Sequence, residues 1–142
     1  DFFRNLHQSL GRTKSYVREL LVAGLNPHAG EDGFLGTEEE DEIRPAVEEA
    51  RQEGLAISGP FPPDTIFLKA IDCPEKMVIA LYHDQGLIGF KLKAFETGVN
   101  ATLGMPFIRT SPDHGTAYDI AGKGVADPRS LIAAIRMAVE LS

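Results

Sequence analysis

Two apolar runs in this chain end in polar, chemically loaded loops, and that arrangement constrains the fold more than any other feature. "ELLVAGL", residues 19–25, runs into "NPHAGE"; "KMVIALY", residues 76–82, runs into "HDQG". Short apolar runs bounded by turn residues read as buried strands. Between them, Thr37 stands as an N-cap with Glu40 completing a capping box, and Ile43, Ala46, Val47 and Ala50 form the apolar stripe of a helix. Pro45 kinks that helix or marks a restart, and Gly54 ends it. "LAISGP" reads as a strand and turn, and Asp64 is placed to cap a short helix within "FPPDTIFLKA". Ahead of all this, Phe2, Phe3, Leu6 and Leu10 have helical spacing. Further on, residues 87–95 fit helix or strand, "GVNATLGMPFIRTS" reads as a strand with its connection, and residues 113–128 read largely as loop. Asp127 and Pro128 then open a last helix carried by Leu131, Ile132, Ile135 and Val139. Strands alternating with helices predict an α/β sheet whose strand-end loops bear the chemistry.

The formal net charge of −7 argues against nucleic acid and anionic membrane as partners, since both need a basic footprint. A small phosphorylated substrate, which needs only a few local cations, stays open. Cys73 is the single cysteine, so no internal disulfide forms, which fits a reducing, cytoplasmic compartment. No apolar run reaches the length of a membrane span, and the first residues lack the apolar core of a signal peptide. A start at Asp1 rather than Met suggests a fragment or a processed product.

His28 and His83 each follow a predicted strand, with Glu31 and Asp84 close behind. Neutral imidazole is the commonest protein ligand for a transition metal, and a neighbouring carboxylate orients the ring. For either histidine alone, a structural loop hydrogen bond is the commoner role; two at matching strand ends shift that balance without reversing it. Zinc takes three protein ligands plus water in catalytic sites, so two histidines are an incomplete set. Asp64 and Asp84 are acid–base candidates, although capping is the plainer role for Asp64 by position. Arg109 suits a clamp on phosphate or carboxylate, with an ion pair to one of the 21 acidic residues about as well supported. Lys91 lies between Phe90 and Leu92 and reads most simply as a snorkelling surface lysine. Asn100 completes this polar series. "TEEEDE", residues 37–42, reads as a solvated helix start whose acids suit the positive dipole end. Residues 113–128, rich in glycine and aspartate, suit a loop that lets backbone amides approach a ligand.

"GLNPHAGEDGFLGTEE", "GPFPPDT", "YHDQGL" and "GVNATLGMPFIRTSPDHGTA" occur in that order. Together they resemble the C-terminal part of the 4-hydroxythreonine-4-phosphate dehydrogenase family of pyridoxal phosphate biosynthesis. The loop "HGTAYDIAGKGVADP" is also similar to the cofactor loop of isopropylmalate and isocitrate dehydrogenases. The resemblance implies that α/β fold, in a fragment carrying parts of two lobes and not divided into separate domains. It implies a homodimeric, NAD-dependent and metal-dependent oxidative decarboxylase acting on 4-phosphohydroxy-L-threonine. The divalent metal (zinc, magnesium or cobalt) would be held by His28, His83 and a third histidine from the family's earlier half, contributed across the dimer. His7 does not replace that third ligand. Lys91, Asn100 and Arg109 match substrate-holding positions, Lys91, Asp64 and Asp84 the catalytic cleft, and Gly115, Thr116, Asp119 and Asp127 the adenosine end of NAD. The alternatives are a paralogue acting on 4-phospho-D-threonate or 4-phospho-D-erythronate, a truncated non-catalytic product, and a metal hydrolase, which would leave residues 113–128 unexplained. The fragment alone is expected to bind metal weakly and to have no turnover.

Overall fold

The computed structural model describes residues 1–142 and divides them into two compact units, one built mainly from residues 16–89 and the other from residues 4–15 and 90–142. In the first unit, β1 (Glu19–Ala23), β2 (Ile57–Phe61) and β3 (Lys76–Ile79) make a parallel sheet in the order β2-β1-β3. Leu20 pairs with Ile57 on one side and Met77 on the other. The central strand is the most apolar: Leu20 to Ala23 are all buried, Val22 and Ala23 completely. Alternation sends Leu21 and Ala23 to one face, where they meet the fully buried Ile66, with Phe61, Phe67, Ala70 and Val78 packed around them. The helix α2 (Arg44–Gln52) packs on β2 and buries Val47 and Ala50. Because the strands are parallel, β1, β2 and β3 all end on the carboxyl side of the sheet, and the loops leaving that side are neighbours.

Pro45 marks a restart. A π-helical turn, Glu39–Ile43, runs directly into α2, whose first turn holds the proline where its missing N–H costs nothing. The expected capping box does not form: the Thr37 carbonyl accepts the Glu40 and Asp41 amides, while the Glu40 side chain reaches forward to Arg44. The charge run is not uniformly solvated either, because Glu39 within it is completely buried.

The segment left open between helix and strand is helical: α3 (His83–Ala94) begins at His83, so that histidine opens a helix rather than lying in a loop. In the second unit, α1 (Phe2–Gly11) matches the predicted helix. β4 (Val99–Thr102) and β5 (Arg109–Pro112) form an antiparallel pair in which Asn100 faces Ser111, and α4 (Arg129–Leu141) packs on them. The face α4 turns inward is not the predicted one. Ser130 and Ala134 are buried, whereas Leu131, Ile132, Ile135 and Val139 are exposed. Polar contacts fix that choice: Ser130 Oγ donates to Gly98 O at 2.7 Å, and Thr110 Oγ1 donates to Ala134 O at 2.8 Å. No helix is long and apolar enough to cross a membrane.

Candidate active site

The loop leaving β1 carries His28 in an unusual backbone. His28, Ala29, Glu31 and Asp32 all have positive φ, between 45° and 55°, and Gly30 among them and Gly33 after them also have positive φ. Left-handed conformation costs an L-residue roughly 1–2 kcal/mol, so a run of it persists only where surrounding contacts fix it. One consequence is that Glu31 returns to His28, with Nδ1 and Oε1 2.9 Å apart. That hydrogen bond, followed by the carboxylate's charge, raises the His28 pKa above its ordinary value; burial opposes it slightly, and the charge of Asp64 adds to it. His83 has the same arrangement in a different setting: at the first position of α3, its Nδ1 lies 2.8 Å from Asp84 Oδ1. Both imidazoles therefore engage a carboxylate through Nδ1 and keep Nε2 uncommitted.

The two histidine-bearing segments leave the carboxyl ends of adjacent parallel strands. His28, Asp64 and Asp84 line one open hollow of about 690 Å³, together with Pro27, Phe67 and Tyr82. His83 is not part of that lining; its exposed ring stands one residue before Asp84. Asp64 is not a helix cap. The turn at Ile66–Lys69 is preceded by Thr65 and has no side-chain cap, which leaves the Asp64 carboxylate facing the hollow. Within this chain no three His, Cys, Asp or Glu side chains gather as a metal-holding group. Two imidazoles with free Nε2 atoms fit two places in a ligand set, and their Nδ1–carboxylate bonds fix the tautomer such a ligand needs.

The second unit holds the other expected residues. Lys91 is not simply a solvated lysine: its ammonium donates to Asp113 Oδ2 at 2.6 Å and lies over the Phe95 ring at 5.9 Å. Arg109 opens β5, donates through Nη1 to Thr102 Oγ1 at 2.9 Å, and lines a separate hollow of about 550 Å³ that also contains Arg12. Asn100 is exposed on β4 and lies outside that lining. Gly115 and Thr116 are exposed in the loop after β5, and Asp119 sits in a single turn, Tyr118–Ile120. Asp127 does help to cap α4, from one position earlier than a regular N-cap: its Oδ1 accepts the Arg129 amide at 2.9 Å. Its carboxylate also binds the Arg129 guanidinium, and these bonds hold its pKa below the usual range. The same guanidinium reaches Glu96.

The profile of the family described as pyridoxal phosphate biosynthetic protein PdxA matches residues 1–138. The chain belongs to this family. It is 63% identical over 129 residues to the 4-hydroxythreonine-4-phosphate dehydrogenase of Desulforapulum autotrophicum, covering 89% of this chain and 38% of that protein. Against the Methylorubrum populi enzyme of the same name it is 57% identical over 123 residues, 87% of this chain and 35% of that one. A crystal structure of the Klebsiella pneumoniae 4-hydroxythreonine-4-phosphate dehydrogenase superposes with a TM-score of 0.82 at 46% identity, covering 96% of this chain and 41% of that chain. A terephthalate 1,2-cis-dihydrodiol dehydrogenase from Burkholderia xenovorans superposes with a TM-score of 0.68 at 33% identity, covering 97% and 44%. The chain thus spans well under half the length of the relatives it matches.

As a PdxA-family chain it has the isocitrate/isopropylmalate-dehydrogenase-like α/β fold, and its homologues are dehydrogenases. Two residues of the histidine-bearing edge escaped the sequence reading. Glu39 was one acid in a run of five. Gln85, buried in the first turn of α3, was overshadowed by the acid before it. An amide arriving with a histidine and an acid at the end of an apolar run was the one available signal for Gln85; for Glu39 there was none.

Proposed function

We propose that this chain forms part of an NAD-dependent, metal-dependent enzyme that oxidises 4-phosphohydroxy-L-threonine, whose β-keto acid then loses carbon dioxide to give 3-amino-2-oxopropyl phosphate. The observation that carries this reading is the repeated arrangement of His28 with Glu31 and His83 with Asp84, on segments leaving adjacent parallel strands. The two Nε2 atoms would hold a divalent cation together with a donor from outside this chain, and homodimerisation is the proposed source of that donor. Such a cation, when bound, lowers the pKa of the substrate alcohol and stabilises negative charge as carboxylate is lost. NAD, when bound, would supply the acceptor for the hydride of the carbinol carbon. Asp64 suits the base that takes the hydroxyl proton, because it faces the same hollow as His28. Asp84 orients His83. Lys91 and Arg109 are the fixed cations for an anionic substrate, and Asn100 is a neutral partner for its polar groups. Gly115, Thr116, Asp119 and Asp127 lie on an exposed loop suited to the adenosine end of NAD. A reducing, cytoplasmic setting belongs to the same proposal, consistent with a single free cysteine.

The test is a substrate panel on the intact protein that carries this sequence, following NADH absorbance. 4-Phosphohydroxy-L-threonine should give the highest kcat/KM, and a chelator should abolish turnover. Preference for 4-phospho-D-threonate or 4-phospho-D-erythronate would move the assignment to a paralogous activity. Turnover unaffected by chelation and by His28→Ala would remove the metal from the account.

A further inference from the structure

A buried polar brace joins the two histidine-bearing segments. Glu39 is completely buried, and both its oxygens are used. Oε1 accepts the Leu25 and Asn26 amides, each at 2.7 Å, and Oε2 accepts Asn26 Nδ2 at 2.9 Å. These are the residues through which β1 turns into the left-handed His28 loop. The loop is built around this carboxylate: a Cβ on Gly30 would stand 2.8 Å from Glu39 Oε2, and one on Gly24 would stand 3.0 Å from Oε1. Gln85, also buried, crosses between the strands. Its Oε1 accepts the Leu81 amide at 2.7 Å, just ahead of His83, and its Nε2 donates to Gly24 O at 2.7 Å, just ahead of Leu25. From Leu81 through Gln85, Gly24 and Leu25 to Glu39, one chain of hydrogen bonds and backbone links the bases of both segments.

We propose that Glu39 and Gln85 are positioning residues that set the His28 and His83 rings relative to one another. This rests on the reading of those histidines as metal ligands. Neither side chain lines up as a ligand itself: Glu39 has spent both oxygens on the loop, and Gln85 has both ends committed. Their action is on the backbone that carries the ligands. An acid is required at position 39 because both its oxygens face donors. In Glu39→Gln, the amide N–H₂ meets either Asn26 Nδ2 or the two backbone N–H groups. An amide is required at position 85 because one end must accept and the other donate. Gln85→Glu turns an oxygen toward the Gly24 carbonyl.

Both variants, with wild type and His28→Ala, should be made in the intact protein, freed of metal and titrated with cobalt(II) by visible absorbance. Wild type should bind and His28→Ala should not. Glu39→Gln and Gln85→Glu should bind about 10- to 100-fold more weakly, the range for losing a group that orients a ligand. Their ligand-field bands should shift, at temperatures well below each variant's melting point. Wild-type affinity and spectrum in both variants would overturn the proposal, leaving the two residues with a role in stability alone. Hydrogen-exchange mass spectrometry on the metal-free proteins gives a second readout. Exchange in peptides spanning residues 25–36 should quicken in both variants, and unchanged protection there would overturn the brace independently of any metal. If wild type takes up no cobalt, or His28→Ala binds it equally well, the metal reading fails while the exchange data still decide the brace.

Discussion

Glu39 shows how one side chain can decide a loop. Burial, the largest single influence on its carboxyl, pushes the pKa up. Hydrogen bonds from the Asn26 side chain and from the Asn26, Glu39 and Leu25 amides together outweigh it and hold the group below the ordinary carboxylate value. A carboxyl lowered in the folded state stabilises the fold fully above its unfolded pKa of about 4.3, and that contribution disappears as pH falls through the lower folded value. Glu39→Gln has no such titration. Its stability deficit against wild type should therefore be largest at neutral pH and should shrink below about pH 4, as read from urea midpoints across a pH series. Glu39→Ala should cost more, roughly 2–6 kcal/mol, because the Leu25 and Asn26 amides lose a buried acceptor at about 1–3 kcal/mol each. None of this could be read from "TEEEDE". Five neighbouring acids look alike in sequence, and only the return of the β1 loop selects the third residue of that segment for burial. Asp64 is the converse case. Its position after two prolines suggests a cap, but Thr65 stands at the start of the following turn, no side chain caps it, and the Asp64 carboxylate is left facing the hollow.

At the scale of elements, the apolar runs were legible because parallel strands buried on both faces are continuous in hydrophobicity. β1 and β3 fall inside the predicted segments, and α2 restarts at the predicted proline. Residues 87–95 were ambiguous because Lys91 and Lys93 break the apolar pattern in a way that suits helix or strand; the helix that forms has no strong apolar face. The last helix was found, but not its orientation. Periodicity pointed to Leu131, Ile132, Ile135 and Val139, whereas the packed side is the one that places Ser130 and Ala134 against β4 and β5. This yields a paired prediction for the chain's urea unfolding. Ser130→Ala removes the bond to Gly98 O and the acceptor of the Asp113 amide, and should cost about 1–2 kcal/mol. Ile135→Gln touches an exposed site and should stay within about 0.5 kcal/mol, although hydrophobic pattern alone would rank it as the more damaging change.

For the whole molecule, the decisive fact is proportion: the chain spans 38% of the Desulforapulum autotrophicum relative. Family membership was legible because four separated motifs lie in order, and motif order survives truncation. Completeness of a ligand set does not survive it. His28 and His83 lie beyond the carboxyl ends of two adjacent parallel strands, yet no three His, Cys, Asp or Glu side chains gather as a metal-holding group. A catalytic metal centre takes about three protein donors, so the 142-residue chain by itself should bind cobalt(II) far more weakly than the intact protein. Losing merely an orienting partner costs about 10–100-fold in affinity, and losing a ligand should cost at least that. The same chain should show no NADH formation with 4-phosphohydroxy-L-threonine. Isothermal titration of both proteins under identical conditions, paired with the absorbance assay, checks the two expectations together. Equal affinity in the short chain would mean that its own residues complete the site, through self-association or through a rearrangement that brings an acid such as Asp64 to the cation. Weak binding in both would instead detach the paired histidines from metal chemistry and leave them as carboxylate-braced loop residues.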